Sequence, residues 1–300
     1  MRVRKAGRID DGLWLLGAEE SCVYLLEGNR SSALISAGMS YLLPDFFQQL
    51  ADWGIDAGKI EHLIILHAHF DHVGLAPFLK RKWPRLNVYA SGKAWNVLAN
   101  PKAVALFTEF TAMVCRRMRG SADILDTLDW QWRSDVRGET LREGSIIDLG
   151  GRVLEIYETP GHSSCSISAY APQLGALFPS DAAAIPYREE YVIAAGSSFE
   201  KYRQSLESLA RLDVKTLCAD HYGCISGEEA ASYIPESRAA ADRMTERLQT
   251  ALRQEGSVEV AARKLVALHY ELRPDYFVHP DILLRTYTQM LRQFLPAGLT

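Results

Sequence analysis

Short apolar runs separated by turn residues open the chain. Leu13-Trp14-Leu15-Leu16, Cys22 to Leu26 and Ala33-Leu34-Ile35 are broken by Gly17, Gly28 and Asn29, a pattern that predicts an antiparallel meander. From Pro44 to Trp53 the period changes, and Phe47, Leu50 and Ala51 fall on one helical face. His62-Leu63-Ile64-Ile65-Leu66 is nearly continuous apolar sequence and predicts a buried strand. Val73 to Leu79 contains Gly74 and Pro77 and predicts a turn entering a helix. Val88-Tyr89-Ala90 predicts a further strand.

Residues 93–130 leave this alternation. Val104 to Phe107, Phe110, Met113-Val114 and Met118 recur at helical spacing, so a helical insertion is expected there, placed to cap the cleft. Strand-like runs return at 145–157, 165–170 and 175–179, and Tyr202, Leu206, Leu209 and Leu212 mark a helix. Two half-sheets with helices outside predict an α/β fold, a four-layer αββα sandwich. Beyond Gly227 the chain turns helical. Ala240, Met244, Leu248 and Leu252 form one stripe, and Ala261, Leu265 and Leu268 a second. Ile282, Leu283, Tyr287, Met290, Leu291 and Phe294 form a third, after Pro280 and with Asp281 as the expected N-cap. The reading is a main unit over 1–226, with its insertion at about 93–130, and a helical extension over 227–300. The extension needs a partner surface: the cleft, a second copy of the chain, or another protein.

Composition narrows the class. Of 300 residues 48% are apolar and 23% charged, as in soluble globular proteins. A formal net charge of −4 argues against general nucleic-acid binding. No apolar run approaches the roughly 20 residues that span a bilayer. Basic Met1 to Lys5 is not followed by an apolar run before Asp10-Asp11, so a cytoplasmic location is expected. The five Cys are odd in number and dispersed, which is not a disulfide framework.

The chemistry concentrates in His67-Ala68-His69-Phe70-Asp71-His72, between the predicted strand and the following turn. In extended backbone, positions 67 and 69 point the same way, so two imidazoles can reach one ion. Asp71 and His72 follow where the chain turns and can face a second ion. A helix would not place 67 and 69 together. Six residues cannot close two metal sites, so distant partners are required. His162 in Thr159-Pro160-Gly161-His162-Ser163, Asp181 after Ala176 to Ser180, and His221 in Ala219-Asp220-His221-Tyr222-Gly223 each follow an apolar run and precede a turn.

These motifs, over about the first 225 residues, resemble the metallo-β-lactamase-fold hydrolase superfamily. The resemblance implies that His67, His69 and His162 bind one metal and Asp71, His72 and His221 the other, with Asp181 bridging both. Asp71 and Asp181 are then the catalytic carboxylates. It implies two divalent ions per chain, zinc, iron or manganese, that generate an attacking hydroxide near neutral pH. In length, helical insertion and C-terminal helices the chain also resembles the quinolone signal response thioesterase branch. That implies a small-molecule substrate, a thioester or related carboxylic ester. Phosphodiesterase, phosphoesterase or lactonase chemistry, or a ligand-binding regulatory role with a vestigial site, are the alternatives.

Departures from the family pattern are Ser36-Ala37-Gly38, Ser180 before the bridging Asp, and Asp220 before the last His. Asp220 is expected to orient a neighbour or face solvent, and Ser36 leaves the support of the ligands in question. His at 69, rather than Glu, argues against a flavodiiron protein. Ala184 stands where acyl-homoserine lactonases carry Tyr. Cys218, Cys224 and Cys165 read as core, His62 as structural, and His269, His279 and Arg188 as peripheral to the substrate. Tyr187 and Tyr222 are candidate donors to a developing oxyanion.

Overall fold

A computed structural model describes residues 1–295. The chain opens with β1 (Arg2–Val3), β2 (Gly7–Asp10), β3 (Leu13–Ala18), β4 (Ser21–Glu27) and β5 (Ser32–Ile35). Along β4 the side chains alternate: Cys22, Tyr24 and Leu26 enter one apolar cluster, Val23 and Leu25 another. Both faces of this strand are therefore covered. Next come α1 (Leu43–Asp52), β6 (Ile60–Ile64), α2 (Ala76–Lys82), β7 (Asn87–Ser91), α3 (Gly92–Leu98), α4 (Pro101–Arg119) and β8 (Glu139–Leu141). They form a seven-stranded sheet in the order β2-β3-β4-β5-β6-β7-β8. The pairs from β2 to β5 are antiparallel, as the meander predicts, and those from β5 to β8 are parallel. Parallel neighbours need crossovers, and the intervening helices supply them while covering the outer face.

The second half contains β9 (Ile146–Asp148), β10 (Val153–Glu158), β11 (Ile167–Ala171), β12 (Ala176–Phe178), α5 (Phe199–Leu209), β13 (Thr216–Cys218) and β14 (Cys224–Ser226). The extension is α6 (Glu228–Glu255), α7 (Val258–Leu272) and α8 (Pro280–Arg292). The sheet of the second half runs β1-β14-β13-β12-β11-β10-β9. Leu15, Tyr24, Leu66, Leu154, Ile167 and Phe178 meet in the core shared by the two sheets. The four-layer αββα sandwich is present, with α5 to α8 over the second sheet. Truncating one such fully buried Leu to Ala costs about 2–5 kcal/mol. Among the described residues no helix is long and apolar enough to cross a membrane.

Two local expectations are corrected, and one strand is added. The buried face of α1 is Leu43, Phe46 and Leu50, and Ala51 is exposed. Adjacent Phe46 and Phe47 leave the stripe ambiguous; the sheet takes Phe46, while Phe47 packs edge-on against Phe78 and Trp83. The N-cap of α8 is His279, whose imidazole accepts from the Asp281 N–H, because Pro280 takes the first helical position. β1, too short to show a period, crosses to the second sheet and pairs Arg2 with Ile225.

Candidate metal centre

The loop after β6 crosses between the sheets. Ile65 still bonds to the Tyr89 carbonyl at 2.8 Å, and the Leu66 carbonyl accepts from Ile167 of the other sheet at 2.8 Å. His67 emerges at that junction, His69 two residues on, and a tight turn over Phe70–His72 delivers Asp71 and His72. His162 sits in the turn after β10. Gly161 there has φ +139°, and a Cβ would lie 2.3 Å from the Tyr202 Cα, so glycine lets this turn pack onto α5. Asp181 lies in the turn after β12, and His221 between β13 and β14. All seven predicted ligands thus leave strand ends at one edge of the sandwich, where α/β sheets open a crevice.

Their ligating atoms converge in three overlapping groups: His67, His69 and His162; His67, His72 and Asp181; Asp71, His72 and His221. His162 Nε2 lies 3.2 Å from His67 Nε2 and 2.9 Å from His69 Nδ1. His221 Nε2 is 3.3 Å from His72 Nε2 and 3.7 Å from Asp71 Oδ2. Asp181 Oδ2 sits 3.3 Å from both His162 Nε2 and His72 Nε2, between the two ends. Ligand atoms about 2.0–2.1 Å from one tetrahedral ion lie about 3.3 Å apart, which is this spacing.

The opposite edges of the rings fix their orientation. His162 Nδ1 donates to the Ala194 carbonyl at 2.6 Å and His221 Nδ1 to the Glu20 carbonyl at 2.7 Å. His72 Nδ1 donates to Asp220 Oδ2 at 2.7 Å. Ser180 Oγ donates to the same oxygen at 2.6 Å and accepts from His67 Nδ1 at 3.1 Å. Asp220 and Ser180 therefore orient His72 and His67, in the manner of outer partners of metal-binding imidazoles. Ser180 has φ +50° and Tyr222, after His221, φ +62°. This is backbone that glycine adopts freely, and at Ser180 the two hydrogen bonds compensate the strain.

This donor set fits cations. With their Nδ1 protons committed outward, His67 and His162 aim bare Nε2 lone pairs at one another within hydrogen-bond distance. Asp181 Oδ1 is buried without a hydrogen-bond partner among the described residues. Burial pushes the His67 and His162 imidazoles below their ordinary range and takes His69 down to about 3. His72 moves the other way. Burial alone would lower it, but the Asp71 and Asp181 carboxylates, with hydrogen bonds to Asp181 and Asp220, hold it well above the usual value. Burial would likewise raise Asp181, and the surrounding His72, His162 and His221 instead hold it well below the carboxylate range.

The centre opens into a cavity of about 590 Å³. Its far wall is not the insertion but the C-terminal segment: Tyr276, Phe277, Val278, and Ile282 and Leu283 of α8. Phe277 stacks on His221 with ring centres 4.5 Å apart. The insertion, expected to cap the cleft, instead backs it: Phe110 packs edge-on against Phe70 at 5.5 Å and lies under Arg285 of α8.

The remaining candidates lie elsewhere. Tyr187 donates to Asp275, which also pairs with exposed Arg188 at 3.0 Å, and neither Tyr187 nor Tyr222 lines the cavity. Cys218 faces Cys224 across the β13–β14 pair in the inter-sheet core, and Cys165 is buried beside Ser163. His62 bonds Ser31 and Tyr89. Ser36 Oγ is buried and, among the described residues, unpartnered, so it supports no ligand.

Known proteins are similar in sequence and fold. A sequence model of the Metallo-beta-lactamase superfamily matches residues 16–221. A metallo-beta-lactamase fold-containing protein of Sulfurisphaera tokodaii is 26% identical over 212 residues, 69% of this chain and 75% of its own length. A hydroxyacylglutathione hydrolase of Rhodopseudomonas palustris is 26% identical over 230 residues, covering 75% of this chain and 71% of its own. The crystal structure of a metallo-beta-lactamase family protein from Thermus thermophilus superposes with TM-score 0.67 at 19% identity, over 95% of this chain and 94% of that one, which shows the shared fold.

Proposed function

Because the chain belongs to the metallo-beta-lactamase superfamily and is a metal-dependent hydrolase, we propose that it hydrolyses a thioester or closely related carboxylic ester. His67, His69 and His162 would hold one ion, Asp71, His72 and His221 the other, with Asp181 shared. When bound, two divalent ions supply an ionised water near neutral pH and polarise the carbonyl under attack.

The observation that carries the choice of thioester is the lack of a proton donor for the leaving group. Apart from the predicted ligands, the titratable side chains lining the cavity among the described residues are Tyr276 and Arg292. Burial holds the Tyr276 phenol well above its usual range, and a guanidinium does not give up its proton. A thiolate, whose conjugate acid has a pKa of about 8.5, departs without protonation, whereas an alkoxide needs an acid. Asp71 and Asp181 at the cavity floor orient the attacking water. Phe277, Val278, Ile282 and Leu283 receive an apolar acyl group and exclude bulk water.

The hydroxyacylglutathione hydrolase relative, by its name, acts on an acyl-glutathione, which is a thioester. The α3–α4 insertion and the α6–α8 extension support placing the chain in the quinolone signal response thioesterase branch. They also support the division into a catalytic unit over 1–226 and an extension from 227, with α8 completing the site. Steady-state kinetics of the metal-loaded protein on matched thioester, oxygen-ester, lactone and phosphodiester substrates tests the reading. The expected result is kcat/KM highest on the thioester. Strong phosphodiester turnover with inert thioesters overturns it.

A further inference from the structure

A second cavity, of about 390 Å³, lies between α6, α7 and the loop at Glu189 to Val192. Three guanidiniums line it: Arg243 and Arg247 of α6, and Arg273 just beyond α7. Arg243 and Arg247 are one helical turn apart, where like charges repel. Their neighbours on α6 are neutralised, Arg238 by Glu207 at 3.0 Å and Asp242 by Arg203 at 2.6 Å. Among the described residues, Arg243 and Arg247 have no such partner. Two acids also line the cavity. Glu190 pairs with the Arg273 Nη2, while Glu189 reaches outward to Arg2 and Arg4, at 3.9 and 4.0 Å.

Two buried donors sharpen the picture. Arg273 is 8% exposed and His269 1% exposed, and Arg273 Nε and His269 Nε2 have no hydrogen-bond partner among the described residues. The Tyr287 hydroxyl lies 3.3 Å from His269 Nδ1. A phenol donating there leaves the imidazole proton on Nε2, a donor with nothing to donate to. Natural proteins rarely leave buried polar atoms unmet, and each costs about 1–3 kcal/mol. Burial, with the charges of Arg273 and Arg247, pushes His269 down to about 3, so the ring is neutral and the excess positive charge is on the arginines.

We propose that this cavity binds a small phosphate-bearing anion, held by Arg243, Arg247, the free Nε edge of Arg273 and Nε2 of His269. A phosphate offers three terminal oxygens to donors on separate elements, whereas a carboxylate offers two, and Glu190 already places one carboxylate on Arg273. Met244, Val192 and Tyr191 give the remaining wall an apolar character suited to a small organic group. The site also adjoins the catalytic cavity. The Arg273 carbonyl accepts from the Tyr276 N–H at 3.1 Å, and the His269 ring packs edge-on against Tyr276 at 4.6 Å. An anion seated on Arg273 and His269 would therefore brace the segment that walls the substrate.

The test is calorimetric titration of the metal-loaded full chain with inorganic phosphate and with glycerol phosphate at constant ionic strength, acetate being the control. Wild type is expected to saturate with phosphate and not with acetate. The double variant Arg243→Gln, Arg247→Gln should bind phosphate about tenfold or more weakly. Binding that survives in Asp181→Asn places it away from the predicted metal centre, and a phosphate-dependent shift of the His269 imidazole resonance places it in this cavity. Identical phosphate isotherms for wild type and the double variant, or no saturable phosphate binding by wild type, overturn the proposal.

Discussion

The two ends of the predicted metal cluster are built on different chemistry. Around His67, His69 and His162 the outward hydrogen bonds go to neutral acceptors, the Ser180 hydroxyl and the Ala194 carbonyl, and burial pushes all three imidazoles down. At the other end His221 likewise leans on a neutral group, the Glu20 carbonyl, but His72 is held by anions: Asp220 backs it, while Asp71 and Asp181 face it, and it is pushed up. The first end is a set of neutral donors ready for an ion. The second is an anionic cradle whose carboxylates favour a second ring proton on His72. A cation there must displace that proton, and a carboxylate behind the ring makes the imidazole a stronger ligand once it is gone.

Changing the one residue common to both ends should have the largest effect. Asp181→Asn should weaken both ions and lower kcat/KM by about a thousandfold; metal content and thioester turnover on one sample measure it, and full occupancy at either end would break the idea of a shared carboxylate. Asp220→Asn should act on one end only, weakening the ion at Asp71, His72 and His221 by about 10–100-fold in chelator competition. Equal weakening of both ions would erase the distinction.

Acidity separates the ends next. Below the raised pKa of His72, the second ion's affinity should climb by about tenfold per pH unit as the proton becomes easier to displace. His69, pushed down to about 3, is already neutral, so affinity at the first end should stay flat across the neutral range. Imidazole nitrogen shifts of the metal-free protein check the premise: His72 should carry protons on both ring nitrogens where His67, His69 and His162 carry one. The smallest effect concerns Phe277, which stacks only on the second end's His221. Phe277→Ala should loosen that ion by about threefold to tenfold, the value of an aromatic contact, and leave the first unchanged.

The convergence of the seven predicted ligands was readable in the sequence because each follows a strand-like run, and strand ends share one edge of an α/β sandwich. The support was not. Asp220 read as a residue that either orients a neighbour or faces solvent, and nothing local chose between the two, since its partner His72 lies 148 positions away. The stripe of α8 was legible as an apolar face, and it is buried. Periodicity reveals that a helix has such a face but not what meets it, which is why the wall expected from the insertion comes from residues 276–293. The anionic character of the second end emerges only when Asp71, Asp181 and Asp220 meet in three dimensions.

The most direct test is anomalous diffraction from crystals of the metal-loaded protein. The account predicts two peaks roughly 3.5–4 Å apart, one among His67, His69 and His162, the other among Asp71, His72 and His221, with the Asp181 carboxylate between them. A single peak, or two that do not share Asp181, would contradict it.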